Sequence, residues 1–333
     1  MIRSRPNLNC YLCRSPGRQL YAGLKDRLYN VPGIWNLRQC SASSCGLIWL
    51  DPLPLEEDIG RVYQKYFTHD QVGSETGALF GALINVYDQI NHLIHRIIGL
   101  IRRQGRVEEL YLNGIRPGKL LEIGCGAGEL LAHMRDIGWE VAGIETDAQA
   151  IRLAREKYGL NIHLGDLASM NYPDESFDVI IMNHVIEHLH KPVEVLRECQ
   201  RILKRGGKLA VVTPNIKSLA HYLFQKNWFS LDPPRHLHLF SPATLTECAC
   251  RGGFRGAKVW STSVHALRVF VGSMDIKKLG RRKLHAKTSA WHYFMSFLFQ
   301  GLELILTQLG LPVGEEVVLL AEKDRQDSLG AEK

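Results

Sequence analysis

A glycine-rich turn follows a short apolar run near the middle of the chain. The segment Lys119–Glu129 has the sequence KLLEIGCGAGE, in which Glu122 precedes three glycines at alternate positions. When a strand ends in such a turn and continues as a helix, backbone amides can approach a ligand closely, because glycine has no Cβ in the way. A dinucleotide fingerprint requires a small residue three positions after the second glycine, and that position is Glu129. The spacing therefore argues against a pyrophosphate at the helix N-terminus.

Acidic residues end the next two predicted strands. Glu145 closes the strand Glu140–Ile144, about twenty residues beyond the glycines, where a carboxylate can accept both hydroxyl groups of a ribose. Asp166 follows a shorter strand, Asn161–Leu164, in a position that a plain surface turn also explains. The turn and Glu145 together indicate a site for a nucleoside.

Histidines lie after a further strand and in a later loop. The strand Phe177–Met182 is apolar and leads into Asn183–Leu189, while the loop Trp228–Phe240 combines aromatic, basic and imidazole side chains. A histidine with a pKa near neutrality can remove a proton from a substrate. The candidates are His184, His188, His236 and His238.

Two pairs of cysteines lie in the first 50 residues. Cys10 and Cys13 are two residues apart, and Cys40 and Cys45 follow with four residues between them. Four thiolates from two such pairs can close around zinc, and a metal would stabilise a segment too short to fold by itself. The second pair departs from the usual two-residue spacing, so free thiols are the alternative. We predict a structural zinc site at Cys10, Cys13, Cys40 and Cys45.

The elements that position these residues alternate between strands and helices from residue 114 to residue 262. Helices are predicted at 151–158 and 192–203, and Gly207 permits a turn into the strand Lys208–Thr213. This alternation is typical of an α/β fold.

In this order, the segments resemble the class I S-adenosylmethionine-dependent methyltransferases between about Arg116 and Gly253. Glu122–Gly128 is similar to the family's first motif, which holds the methionine part of the cofactor. Asn183–Leu189 is similar to the region where the cofactor's methyl group faces the acceptor. The resemblance implies a Rossmann-like sheet of seven strands whose last, antiparallel strand would be Glu316–Glu322.

The resemblance also implies which residues bind S-adenosylmethionine. Glu145 would hold the ribose hydroxyls, and Asp166 would bind the adenine amino group with Leu167 beside it. The full set expected to contact the cofactor is Glu122, Gly124, Cys125, Gly126, Gly128, Glu145, Thr146, Asp166, Leu167 and Asn183.

The implied reaction is an in-line displacement at the sulfonium methyl group, which requires alignment and exclusion of water. An oxygen acceptor must also lose a proton, and we expect His184 and His236 to share that role. His188 could act in the same way or simply pack its helix. The acceptor would be a small molecule or a glycan- or lipid-linked group, methylated at oxygen or nitrogen. The alternative is a catalytically silent, zinc-stapled adapter that keeps the fold.

The predicted organisation has five parts. They are a Cys-rich module at 1–50, a linker and helical segment at 51–113, a catalytic domain at 114–262 with 313–323, a basic and amphipathic insertion at 263–312, and a disordered tail at 324–333. The helical segment is inferred from apolar residues at helical spacing between Leu79 and Ile101.

Basic residues concentrate in two regions. Residues 1–50 hold seven Lys or Arg and one acidic residue, and residues 268–287 also hold seven against one. The second region precedes a predicted helix, Trp291–Leu311, with a polar stripe on an otherwise apolar surface. A basic run before a broad apolar face is typical of helices that lie in a membrane interface, so residues 277–311 could contact a membrane. A buried helix or a homodimer contact is the alternative.

Two further expectations concern location and partners. Residues Met1–Asn9 are polar and no apolar signal segment follows, so we expect a cytoplasmic protein, with membrane association through residues 277–311 as the open question. Nucleic acid is disfavoured as the acceptor, because Asn183–His184–Val185 stands where a base N-methyltransferase would carry an Asn-Pro-Pro-Tyr type segment.

Overall fold

The computed structural model describes residues 2–63, 109–112, 114–282 and 290–325, together with residue 89. The strands are β1 (Ser4–Arg5), β2 (Gly17–Leu24), β3 (Trp35–Cys40), β4 (Ile48–Asp51), β5 (Leu53–Pro54), β6 (Lys119–Ile123), β7 (Glu140–Glu145), β8 (Ile162–Leu164), β9 (Phe177–Asn183), β10 (Leu203–Pro214), β11 (His238–Leu239), β12 (Lys258–Thr262) and β13 (Glu316–Glu322). The helices are α1 (Glu129–Asp136), α2 (Ala148–Tyr158), α3 (Pro192–Ile202), α4 (Leu219–Phe224), α5 (Pro242–Arg251), α6 (Ala266–Leu279) and α7 (Ala290–Gln308).

A sheet of seven strands forms the centre, in the order β12-β13-β10-β9-β6-β7-β8. Strand β13 pairs antiparallel with both of its neighbours, whereas β10, β9, β6, β7 and β8 run parallel to one another. The predicted fold class, a Rossmann-like methyltransferase sheet with an antiparallel last strand, is confirmed. Helices cover a parallel sheet on both faces, so its central strands are apolar. Val179–Met182 of β9 are accordingly completely buried.

Local capping explains where the helices begin. Helix α2 starts three residues before the predicted Ile151, because the Asp147 side chain accepts a hydrogen bond from the amide of Gln149. Helix α5 begins after a capping box in which Ser241 and Thr244 satisfy each other's backbone amides. Its Leu245 and Cys248 are buried, as the sequence predicted.

The N-terminal strands are joined to the catalytic part by a second sheet. Strands β2, β3 and β4 form an antiparallel sheet, and β11, from the loop Trp228–Phe240, pairs with β4. The loop therefore adds a strand to the Cys-rich module rather than only connecting two catalytic elements.

Parts of the predicted insertions lie outside the described residues. Glu56–Val62 forms a short 3-10 helix, but the apolar stripe from Leu79 to Ile101 is not among the described residues, and neither are residues 326–333. Of the helices that the structure describes, none has the length and apolarity needed to cross a membrane.

Candidate cofactor and acceptor site

The glycine-rich turn connects β6 to α1 in a backbone conformation that favours glycine. Gly124 and Gly126 have φ angles of 67° and 53°. The backbone amides of Gly124 and Cys125 both donate hydrogen bonds to the carbonyl oxygen of Ile144, at 2.8 and 3.2 Å. A Cβ added to Gly124 would lie 2.6 Å from Val185 Cγ2. The turn therefore touches the segment that carries the candidate histidines.

Glu145 is fixed at the end of β7 by backbone amides. Its Oε2 atom accepts a hydrogen bond from Gly126 N at 2.8 Å, and Oε1 accepts from Thr146 N at 2.7 Å and Asp147 N at 3.0 Å. Oε1 also accepts from Thr146 Oγ1 at 3.3 Å, so the acceptor position that remains for a hydroxyl group is on Oε2. The structure thus places Glu145 against the glycine-rich turn, where the sequence predicted a ribose-binding carboxylate.

Glu122 is a buried carboxyl group at the end of β6. It is 3% exposed, and its Oε2 atom has no hydrogen-bond partner within the described part of the chain. Burial, together with the charge of Glu145, raises the pKa of Glu122 to about 8. An unsatisfied buried carboxyl at this position fits a cofactor that carries an ammonium and a sulfonium group, because a bound cation would complete its interactions.

The other predicted cofactor residues lie at the same edge of the sheet. Asp166 is exposed and its Oδ1 accepts a hydrogen bond from Ser169 N at 2.8 Å, while Leu167 beside it is buried. Asn183 is half-buried at the end of β9, Thr146 is exposed, and Cys125 is buried. The carboxyl ends of adjacent parallel strands form the usual ligand crevice of such sheets.

His184 is held between two buried carboxylates. Its Nε2 atom lies 2.8 Å from Glu316 Oε1, and its Nδ1 atom lies 3.4 Å from Glu187 Oε1. Burial alone would lower the pKa of His184, but the hydrogen bonds with Glu187 and Glu316 raise it to about 10. The φ angle of His184 is 55°, which is uncommon for a residue with a side chain and shows that its surroundings fix the backbone.

Glu187 connects this ion pair to the remaining histidines. It is fully buried, and its Oε2 accepts a hydrogen bond from Thr213 Oγ1 at 2.8 Å. Burial would raise the pKa of Glu187, but the surrounding histidines, His184 first, lower it to about 2. Its Oε1 atom lies 4.0 Å from Nε2 of His236.

The imidazole rings of His188 and His236 lie next to each other. The Nδ1 atom of His188 lies 3.0 Å from the carbonyl oxygen of Arg235, and that of His236 lies 2.8 Å from the carbonyl oxygen of Ser230. A carbonyl only accepts, so each Nδ1 carries a proton, and a neutral ring in this orientation keeps its lone pair on Nε2. Burial lowers the pKa of His188 to about 4. The ring centroids are 4.8 Å apart.

Tyr63 is a site residue that the sequence did not indicate. Its hydroxyl oxygen lies 3.0 Å from His188 Nδ1, and burial raises the pKa of Tyr63 above its usual value. Tyr63 directly follows the short 3-10 helix Glu56–Val62, and only the tertiary structure brings its side chain to the site. His265 and Glu316 were also missed, and His265 Nδ1 lies 2.7 Å from Glu316 Oε1.

Glu316 could have been found from the sequence. Strand β13 is antiparallel, so its first residue lies at the edge where β9 and β10 end. A charged residue at the start of an otherwise apolar last strand is the signal, and Glu316 is 3% exposed. His238, in contrast, packs in β11 with Tyr11 at a ring distance of 5.4 Å and contributes to the second sheet.

A buried ion-pair network fixes the loop that carries His236. Arg235 is fully buried and forms hydrogen bonds with Asp26 at 2.8 and 2.9 Å and with Asp232 at 2.9 Å. Asp26 also accepts hydrogen bonds from the amides of Leu28, Tyr29 and Val31. The N-terminal module therefore helps to position the carbonyl of Arg235 and the ring of His236.

The sulfur atoms of the four N-terminal cysteines converge. Cys10 Sγ lies 3.6 Å from Cys45 Sγ, Cys13 Sγ lies 3.3 Å from Cys40 Sγ, and all four sulfurs lie within 4.8 Å of one another. Tetrahedral zinc at bond lengths of about 2.3 Å holds sulfurs about 3.8 Å apart, so the residues fit this metal. The cysteines are not linked as disulfides.

Comparison with known proteins identifies the catalytic part. The sequence model of a family described as a methyltransferase domain matches residues 90–259. A ubiquinone biosynthesis O-methyltransferase of Glaesserella parasuis is 33% identical over 121 residues, covering 33% of this chain and 51% of that protein. A demethylmenaquinone methyltransferase of Chlorobaculum parvum is 28% identical over 147 residues, covering 41% of this chain and 59% of that protein.

The matched region thus spans between 51% and 59% of the length of these two relatives. Among solved structures, a SAM-dependent methyltransferase from Archaeoglobus fulgidus superposes with a TM-score of 0.44 at 22% identity, covering 71% of this chain and 94% of that one. The family match includes the glycine-rich turn, Glu145 and the histidine segment, and it extends over more than half of the chain. The chain belongs to this methyltransferase-domain family, whose members are class I S-adenosylmethionine-dependent methyltransferases.

Proposed function

We propose that the protein transfers a methyl group from S-adenosylmethionine to an oxygen or nitrogen atom of a small molecule or of a glycan- or lipid-linked acceptor. The observation that carries this proposal is the contact between the glycine-rich turn and the histidine segment, where Gly124 lies against Val185. The predicted nucleoside site would thus lie next to the imidazoles of His188 and His236. The names of the two quinone-pathway relatives agree with a small organic acceptor.

Cofactor binding would fall to the residues of the turn and the neighbouring strand ends. Glu145 would accept the ribose hydroxyls, Asp166 the adenine amino group, and Glu122 would face the positive charge of the methionine part. Bound S-adenosylmethionine supplies an activated methyl group whose leaving group is a neutral thioether. The protein therefore needs mainly to orient the acceptor and to exclude water.

The acceptor proton would go to His188 or His236 rather than to His184. A base must be unprotonated, and His184, with a pKa of about 10, carries its proton at neutral pH. His188, whose pKa is about 4, offers an Nε2 lone pair instead. An acceptor hydroxyl becomes strongly acidic as its oxygen is methylated, so even a weakly basic imidazole can take the proton. His184 would remain positively charged, with its two N–H groups directed at Glu316 and Glu187.

The presence of a base in the site favours oxygen as the methylated atom. A neutral amine can attack through its free lone pair and lose its proton later, whereas a hydroxyl reacts poorly unless a base accepts its proton. Zinc at Cys10, Cys13, Cys40 and Cys45 would have a structural role, because four cysteine ligands leave no open coordination position.

The test is to incubate the purified protein with methyl-labelled S-adenosylmethionine and an extract of its host, and to separate the products by polarity. Labelled product that disappears in a His188→Gln, His236→Gln double variant supports the assignment. His133→Gln is the control, because this exposed histidine lies on α1 away from the site. Binding of S-adenosylhomocysteine without labelling of any product would instead support the silent adapter.

A further inference from the structure

Helix α7 presents its apolar residues to solvent and its polar residues to the interior. Its outward positions recur at three- and four-residue spacing. They are Trp291, Phe294, Leu298, Leu302 and Ile305, with Leu309 directly after the helix, and their exposed fractions range from 49% to 73%. A helix on the surface of a globular protein normally shows the opposite pattern. A continuous apolar stripe of this kind marks an interaction surface.

The inward face explains why the helix is held in this orientation. Ser296, Gln300, Glu303 and Thr307 are all less than 9% exposed. Gln300 donates a hydrogen bond to the carbonyl oxygen of Ser263 at 3.0 Å, and Phe299 packs against Phe270 with ring centroids 4.6 Å apart. These contacts to the end of β12 and to α6 fix the rotation of α7, so the apolar stripe must face outward.

The structure also joins the two basic regions of the sequence into one patch. Lys25, Arg27 and Lys226 line a common crevice together with Ile276 at the end of α6. Lys277 lies over the Phe224 ring at 6.0 Å, and the backbone amide of Arg282 donates to the carbonyl oxygen of Arg27. We call Lys25, Arg27, Lys226, Lys277 and Arg282 the basic patch.

The segments that form the patch contain few acidic residues. Those of 24–31, 224–232 and 266–282 are Asp26, Asp232 and Asp275, of which the first two are buried against Arg235 and the third is half-buried on α6. Lys278 and Arg281 add two exposed positive charges. Positive charge therefore lies at the end of α6 that leads into the apolar stripe.

We propose that the apolar stripe of α7 and the basic patch bind the surface of an anionic lipid bilayer. The stripe would lie in the interface between headgroups and acyl chains, with Trp291 at the end nearest the charges, and the patch would contact anionic headgroups. A second copy of this chain would fit these surfaces less well. A dimer contact would need only the apolar stripe, and the adjoining basic patch would then face no negative charge. The only charged residue of α7 is Glu303, which faces inward.

Co-sedimentation of the full chain with vesicles tests this proposal. We expect binding to vesicles of phosphatidylcholine with phosphatidylglycerol, weaker binding to phosphatidylcholine alone, and a decrease with added salt. Lys226→Gln with Lys277→Gln should weaken binding to the anionic vesicles roughly 25-fold, at about fivefold per charge. Leu298→Gln with Ile305→Gln should weaken it by at least about tenfold per side chain.

The matched control is Ile34→Gln, which replaces an apolar side chain of similar exposure, 64%, in the N-terminal module and should leave vesicle binding unchanged.

Three results would overturn the proposal. The first is a wild-type chain that stays in the supernatant with anionic vesicles at low salt. The second is a dimer in light scattering that the Leu298→Gln, Ile305→Gln variant converts to monomers.

The third is a loss of thermal stability in that variant far beyond the loss in Ile34→Gln, which would show that the stripe is covered within the chain. The assay is independent of methyl transfer, so vesicle binding and the enzymatic proposal succeed or fail separately. Unchanged binding of S-adenosylhomocysteine in each variant shows that the catalytic part remains folded.

Discussion

The guanidinium group of Arg235 forms two hydrogen bonds with the carboxylate of Asp26, which lies 209 positions earlier in the chain. Both side chains are fully buried. This pair links the N-terminal module to the loop that carries His236. Without the charge of Asp26, the buried guanidinium keeps only Asp232 as a carboxylate partner, and such a loss inside the protein is more costly than the loss of an exposed ion pair.

Asp26→Asn is therefore expected to lower the free energy of unfolding by at least about 1.5–3 kcal/mol. Urea denaturation, followed by tryptophan fluorescence, measures the change. Arg152→Ala is the control, because Arg152 and Glu156 form an ion pair with exposed fractions of 73% and 62%, and its loss should cost less than about 1 kcal/mol. Equal stability of the two variants would contradict a structural role for the buried pair.

The cysteine cluster predicts one bound zinc per chain. Cys40→Ser should abolish zinc binding in elemental analysis and lower the thermal stability, because the metal closes a module with little core of its own. Cys250→Ser is the matched control, since Cys250 is exposed and outside the cluster. A wild-type protein that is fully stable without zinc, at the same melting temperature as the metal-loaded form, would exclude the structural role.

Local sequence signals were sufficient to predict that the glycine-rich turn meets Glu145. Glu145 follows Gly124 and Gly126 by about twenty residues within a single strand–helix–strand unit, and its side chain accepts a hydrogen bond from Gly126 N. The acceptor side depends on contacts across much larger separations. His188 contacts Tyr63 across 125 positions of the chain, and His184 contacts Glu316 across 132. The spacing of residues along the sequence does not indicate such pairs.

The sequence also left the orientation of α7 open. The polar stripe from Ser296 to Thr307 was visible at helical spacing, but its spacing is the same whether the stripe faces solvent or the interior. Contacts with Ser263 and Phe270 decide the direction. Similarly, the pairing of β11 with β4 gives the loop Trp228–Phe240 a structural partner that its composition did not indicate.

Glu145 should be required for cofactor affinity. Loss of a hydrogen bond from a ribose hydroxyl to a charged acceptor weakens binding by about 1.5–3 kcal/mol, so Glu145→Ala should raise the Kd for S-adenosylhomocysteine by at least about tenfold. Calorimetric titration provides the measurement. Glu140→Ala, at the opposite end of the same strand and exposed, should leave Kd unchanged. Unchanged affinity in Glu145→Ala would remove this residue from the site.

The raised pKa of Glu122 predicts that the affinity for the cofactor depends on pH. Its pKa of about 8 in the free protein means that the carboxyl group is largely protonated at pH 7, and a cationic ligand should favour the ionised form. The Kd for S-adenosylmethionine should therefore fall as the pH rises from 6 to 8, with release of a proton. Titrations in buffers of different ionisation enthalpy detect that proton, and Glu122→Gln should eliminate the release. A pH-independent Kd in the wild type would contradict this role.

The pH dependence of methyl transfer distinguishes the candidate bases. A base is active above its own pKa, so His188, with a pKa of about 4, would support a rate that is constant from pH 5 to pH 8. If His184 were the base, the rate would rise throughout this range toward its pKa of about 10. The measurement is kcat/KM against pH for the product found in the extract assay, compared between the wild type and His184→Gln. A flat profile in the wild type that persists at lower amplitude in His184→Gln would assign proton transfer to the His188–His236 pair, because His184 would then only orient the acceptor.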